Sequence, residues 1–172
     1  IRSYEPLGDL FLKFEHEKVE DYKRSLDLST GITTIEYVVN GKRFKRESFI
    51  STGYDAIFYR FESLDGEETN CSIHFDRFKD IQQSIQGNRI VVNGQIFDDP
   101  NGYDDNPDGS GKGGYHMKFS TVVGVNTDNG ELSAKDSSIV VNKSKAFTVI
   151  VSAATDYNLK KLNFDRNIDA YK

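Results

Sequence analysis

Apolar residues fall at every second position along most of this chain, and glycine-containing turns interrupt the runs. Leu10, Leu12 and Phe14 share one parity, as do Ile35, Tyr37 and Val39, then Ile57, Tyr59 and Phe61. The longest run is Tyr115, Met117, Phe119, Thr121, Val123 and Val125. A period of two places such residues on one face of a β-strand. Asn40-Gly41 is a strong hairpin signal, because a type I′ turn needs positive φ at both central residues. Asp65-Gly66, Asn93-Gly94 and Asp128-Asn129-Gly130 mark further turns between apolar runs. The pattern predicts strands near residues 7–14, 32–39, 43–51, 55–63, 69–76, 115–125 and 146–153. Shorter runs occur at Ile90-Val91-Val92 and Ile139-Val140-Val141. No helical periodicity stands out before the last dozen residues. The expected fold class is therefore all-β, a large antiparallel β-sandwich with one wet side on each sheet.

The 172 residues make about one domain. Residues 1–157 are read as the sandwich, and 158–172 as a charged tail, the start of a linker, or a short helix. Asp98 to Gly114, rich in Asp, Asn and Gly, is read as an acidic loop inserted between strands. Lys and Arg total 22 against 27 Asp and Glu, a formal charge of −5. A nucleic-acid partner calls for a basic stripe, and the one dense basic run, Lys42 to Arg46, divides between two strand faces. No apolar run approaches membrane-spanning length, so neither nucleic acid nor membrane is an expected partner. Cys71 is the sole cysteine, which excludes an internal disulfide, and it reads as a small buried hydrophobe. The chain opens Ile1-Arg2-Ser3-Tyr4 without an initiator Met and without a visible signal peptide. It reads as a fragment of a secreted or periplasmic protein.

Five separated segments resemble a known family. They are Tyr4-Glu5-Pro6-Leu7-Gly8-Asp9-Leu10-Phe11-Leu12, Tyr22 to Leu28, Phe44-Lys45-Arg46-Glu47-Ser48-Phe49, Tyr115-His116-Met117-Lys118-Phe119 and Ser152 to Tyr157. In that order they resemble the amino-terminal domain of glycoside hydrolase family 95, the α-L-fucosidases and their relatives. The resemblance implies a β-sandwich preceding an (α/α)₆ barrel. It also implies inverting hydrolysis of terminal α-L-fucosides by the parent enzyme. It places the acid and the assisted base in the barrel, so no catalytic residue is carried onto this chain.

The remaining chemistry is sparse. Inverting hydrolysis needs two carboxylates about 6.5–9.5 Å apart across the scissile bond. Glu15-His16-Glu17 and Asp98-Asp99 supply carboxylates without such a frame, and Glu15 to Glu17 are expected to cap a strand in solvent. Asp104, Asn106 and Asp108, followed by Gly109, match the opening of a Ca²⁺ loop, with oxygen ligands at alternate positions. Tyr115 stands where the closing bidentate Glu belongs, and Pro107 intrudes. The stretch is therefore read as an exposed acidic loop in preference to a Ca²⁺ site, and no cofactor is expected. Arg77 and His116 lie at strand ends and are the candidates for contact with a sugar at a loop rim.

These readings point to a non-catalytic β-sandwich that supports the catalytic barrel of an α-L-fucosidase-like enzyme. Its partners would be that barrel and carbohydrate. A stand-alone carbohydrate-binding module is the alternative. The lack of Trp, the usual flat platform for a sugar ring, counts against it.

Overall fold

The computed structural model describes residues 5–98 and 114–171. The strands are β1 (Asp9–Phe14), β2 (Glu20–Asp27), β3 (Ile32–Val39), β4 (Lys42–Ser51), β5 (Ala56–Ser63), β6 (Thr69–Asp76) and β7 (Ile81–Gln86). They continue as β8 (Arg89–Asp98), β9 (Gly114–Thr127), β10 (Glu131–Lys135), β11 (Ser138–Ser144) and β12 (Ala146–Thr155). Two short strands, β13 (Tyr157–Asn158) and β14 (Asn163–Phe164), close the chain. No helix occurs among the described residues. The expected all-β antiparallel sandwich is what forms.

One sheet has four strands in the order β1-β6-β11-β10, and the other has eight, in the order β2-β3-β4-β5-β12-β9-β8-β7. Directly paired residues share a face, so the registers identify the core. In the large sheet Phe61 pairs with Phe147, which pairs onward with Thr127; Val149 lies between Tyr59 and Val125, and Ile90 opposes Val123. In the small sheet Ile73 pairs with Ile139 and Cys71 with Val141. These inward residues are fully or almost fully buried apart from Tyr59 and Thr127. Each such aliphatic or Phe side chain stabilises the fold by about 1.5–3 kcal/mol relative to exposure.

Two Asn-Gly pairs behave differently. Asn40 and Gly41 have φ of 51° and 75°, as the hairpin between β3 and β4 requires. Asn93-Gly94, expected to turn, instead lies within β8, and the turn occurs six residues earlier, where Gly87 has φ of 61°. Gly94 pairs directly with Phe119. A Cβ at Gly94 would lie 2.2 Å from Phe119 Cζ and 2.6 Å from the Asp80 carbonyl oxygen. Space for the Phe119 ring, not a turn, is the reason for glycine there.

The small sheet does not cover the large one evenly. At one end Gln83 Nε2, on β7, donates to the Ser137 carbonyl beside β11 at 3.1 Å. At the other end Phe14 packs on Phe61 and Phe147, with ring centroids 4.9 and 6.0 Å away, which seats β1 over β5 and β12. Beyond β1 no further strand among the described residues faces β4, β3 and β2. The segment after β1, through His16, covers the Tyr37–Phe44 end, where Tyr37, Val39 and Phe44 are buried, while every residue of β2 is exposed.

Candidate functional site

The two proposed sugar contacts, Arg77 and His116, lie near one end of the β8–β9 pair. Arg77 follows β6 directly, and its guanidinium lies 4.8 Å from the centroid of the Phe119 ring on β9. Its Nη2 donates to Glu5 Oε2 at 2.6 Å, Nη1 to the Pro6 carbonyl, and Nε to the Lys79 carbonyl at 3.2 Å. The side chain is 8% exposed. Protein acceptors therefore engage all three guanidinium nitrogens, and the arrangement clamps the segment before β1 onto the end of β6.

His116 is half-buried on β9, three residues before Phe119. Its carbonyl accepts Gln95 Nε2 at 3.1 Å and Arg166 Nη2 at 2.8 Å. The same Arg166 is ion-paired through Nη1 to Asp156, whose side chain is fully buried. Asp156 Oδ1 also accepts the Lys118 N–H at 2.9 Å, and the Asp156 carbonyl accepts the Asp165 N–H at 2.6 Å. Tyr171 then donates its hydroxyl to the Gly94 carbonyl at 3.1 Å, and Ala170 is buried. Residues 157–171 thus fold back as a hairpin and turns against β8 and β9 rather than forming a helix. Asp156 and Arg166 organise this corner, and neither stood out in the sequence. Ser152 to Tyr157 drew attention as a resemblance, not as the place of a buried carboxylate.

Asp104, Asn106 and Asp108 lie outside the described residues. Among the described residues no group of three or more His, Cys, Asp or Glu side chains is placed to hold a metal ion.

His16 departs from expectation. It is half-buried in an aromatic cage instead of capping a strand in solvent, with its ring 4.6 Å from Phe44 and 5.2 Å from Phe14. Arg46 donates Nε and Nη2 to the Tyr37 hydroxyl at 3.1 and 2.8 Å. With that oxygen already accepting twice, Tyr37 donates its own proton to His16 Nδ1 at 3.1 Å. His16 Nε2–H then donates to Thr69 Oγ1 at 3.1 Å. Desolvation, and secondarily the Arg46 charge, hold the imidazole below its ordinary pKa. Cys71 is buried as expected, and burial pushes its thiol up to about 12, so it is not a nucleophile.

Several carboxylates serve as partners to cations. Asp65 accepts from Arg43 Nη2 at 2.7 Å, which holds its carboxyl down at about 2. Asp128 pairs with Arg60, and Asp165 with Lys161. A cavity of about 390 Å³ at the β9–β10 turn and the end of β11 is lined by Glu68, Asn129, Glu131, Asn142, Lys143 and Lys145. It has no aromatic wall for a sugar ring. Part of its polar lining is already engaged: Asn129 Oδ1 accepts the Lys145 N–H at 2.7 Å, and Asn142 Nδ2 donates to Ser133 Oγ at 3.0 Å.

A solved structure described as a putative kojibiose phosphorylase from human microbiome superposes with a TM-score of 0.50 at 17% identity, over 89% of this chain and 23% of that one. At that identity the likeness shows the fold alone, and the chain spans under a quarter of that protein's length. No curated protein matches. The family model described as glycosyl hydrolase family 65, N-terminal domain, matches residues 1–160. The expected family 95 is thus corrected to 65, and the resemblance holds at the coarser level of a glycoside hydrolase's amino-terminal sandwich; fucose as the sugar finds no support in these matches. With its sandwich almost wholly inside that match, the chain belongs to the glycosyl hydrolase family 65 N-terminal domain family.

Proposed function

We propose that this chain is the non-catalytic β-sandwich of a family-65-type carbohydrate enzyme, supporting a catalytic domain carried elsewhere in the same polypeptide. The observation that carries the reading is the match of an N-terminal-domain model to residues 1–160. The described chemistry supports it. Asp65, Asp128, Asp156 and Asp165 neutralise cations, and Arg77 and Arg166 tie chain segments together.

In this reading the parent enzyme acts on a disaccharide, the class of substrate named for the structural neighbour. Arg77 and His116 shape the rim of the sugar site through the segments they hold. A secreted or periplasmic setting belongs to the same proposal. The test is complementation. The rest of the parent polypeptide, produced without this domain, should be unstable or weakly active and should regain activity on addition of the chain. Full activity without the domain, and no association between the two pieces, would overturn the reading.

A further inference from the structure

The uneven cover of the large sheet creates a surface that the fold leaves unsatisfied. β1 ends the small sheet, so its outer backbone edge pairs with nothing among the described residues. Beside it runs a groove of about 310 Å³, lined by Leu10, Leu12, Ile35, Arg46 and Tyr59 among others. Its floor is the inward face of β3, β4 and β5 with Phe147 of β12, and the inward face of β2 continues beyond the groove. The registers place Ile50, Ser48 and Arg46 of β4, Thr33 and Ile35 of β3, and Arg24 and Leu26 of β2 on that face. Leu26 is 56% exposed and Ile50 72%. Strands lie about 4.8 Å apart, so the uncovered ends of these three strands, away from buried Tyr37, Val39 and Phe44, leave a ledge roughly 14 Å wide.

An unpaired strand edge above an apolar ledge fits one kind of occupant, an extended polypeptide that adds to the edge and lays alternate side chains on the ledge. The charges make the fit more specific. The inward residues that the registers pair at the open end of β2, β3 and β4 include two arginines, Arg24 and Arg46, and no carboxylate, while Asp21 lies in the β2 bulge near the covered Tyr37 end. Glu47 and Arg60 at the groove belong to the opposite face, and each has a partner there, Lys45 and Asp128. A second copy of this chain does not fit. Pairing β1 with its twofold mate would set both edges about 2.4 Å from the axis, half the strand spacing, while both ledges project about 14 Å across it on the same side.

We infer that the free edge of β1 and the Arg24–Arg46 ledge accept an extended strand of the longer polypeptide, with an acidic side chain between apolar ones facing the ledge. The inference takes from the family assignment only that the domain belongs to a longer chain, and it is independent of the sugar and of where catalysis occurs.

Hydrogen exchange in the parent enzyme tests it directly, with β10, the opposite edge of the same sheet, as internal control. The β1 amides should exchange at least tenfold more slowly than those of β10. Equal rates would overturn the inference, whatever the enzyme's activity. A second measurement uses the 172-residue chain and an eight-residue peptide with Val-Glu-Val at alternate positions and Thr between them. Replacing Glu with Lys should weaken binding at least tenfold, and Arg24→Glu should reverse that preference. N-methylation of the peptide backbone should abolish binding. Equal affinity for the Glu and Lys peptides, or undiminished binding of the methylated one, would overturn the proposal. So would a doubled mass in sedimentation without peptide, which would assign the groove to a second copy.

Discussion

Asp156 is fully buried at the end of β12 and is held by Arg166 and the Lys118 backbone, so the two side chains act as one latch on the terminal hairpin. Arg166→Ala would leave a buried carboxylate without its cation. Because Arg166 is itself 40% exposed, water can partly replace it, and the expected loss is about 2–3 kcal/mol in urea denaturation. Asp156→Asn keeps an acceptor for the Lys118 N–H and should cost less. His16 makes a second prediction. The folded protein binds its proton less readily than the unfolded chain does, since desolvation and Arg46 both disfavour the charged form. Its contribution should be complete above the ordinary histidine value of 6.5 and should fall as the pH drops below it. Stability measured from pH 7.5 to 5.5 should decline in the parent chain and decline less in His16→Gln; identical slopes would refute this assignment. In the sequence, His16 stood between two glutamates and read as solvent-facing. Its partners Tyr37, Phe44 and Thr69 lie 21 or more residues away, and only folding brings them together.

At the scale of elements, alternation located most strands because most have one wet face and one dry face. β2 and β7 escaped that reading for physical reasons. Glu20 to Asp27 is exposed along its whole length and carries little apolar pattern, while β7 interleaves Ile81 and Ile85 with glutamines and a serine. Gly94 shows the limit of turn chemistry, since the same Asn-Gly pair that closes the β3–β4 hairpin continues straight through β8. Gly94→Ala should destabilise by about 1–3 kcal/mol, because the added carbon overlaps Phe119 and the Asp80 carbonyl. A thermal melt unchanged by that substitution would mean that Phe119 repacks freely.

For the whole molecule, the mismatch between an eight-stranded and a four-stranded sheet was not legible in the sequence. It depends on which strands pair at long range, such as β1 with β6 and β5 with β12. The class of enzyme was partly legible. Short ordered segments point to the amino-terminal sandwich of a glycoside hydrolase, but they resemble family 95 while the matching family model is 65. Arg77 and His116 were singled out for their strand-end positions, and the structure places them near one corner with their described polar contacts made to protein.

The central claim is that this sandwich supports chemistry it does not perform, and turnover measures that most directly. The chain and its parent enzyme should be assayed side by side on kojibiose with inorganic phosphate, and on an α-1,2-fucoside. The account predicts turnover of at least one substrate by the parent and none by the chain. Turnover by the chain alone, abolished by replacing one of its own carboxylates, would contradict it.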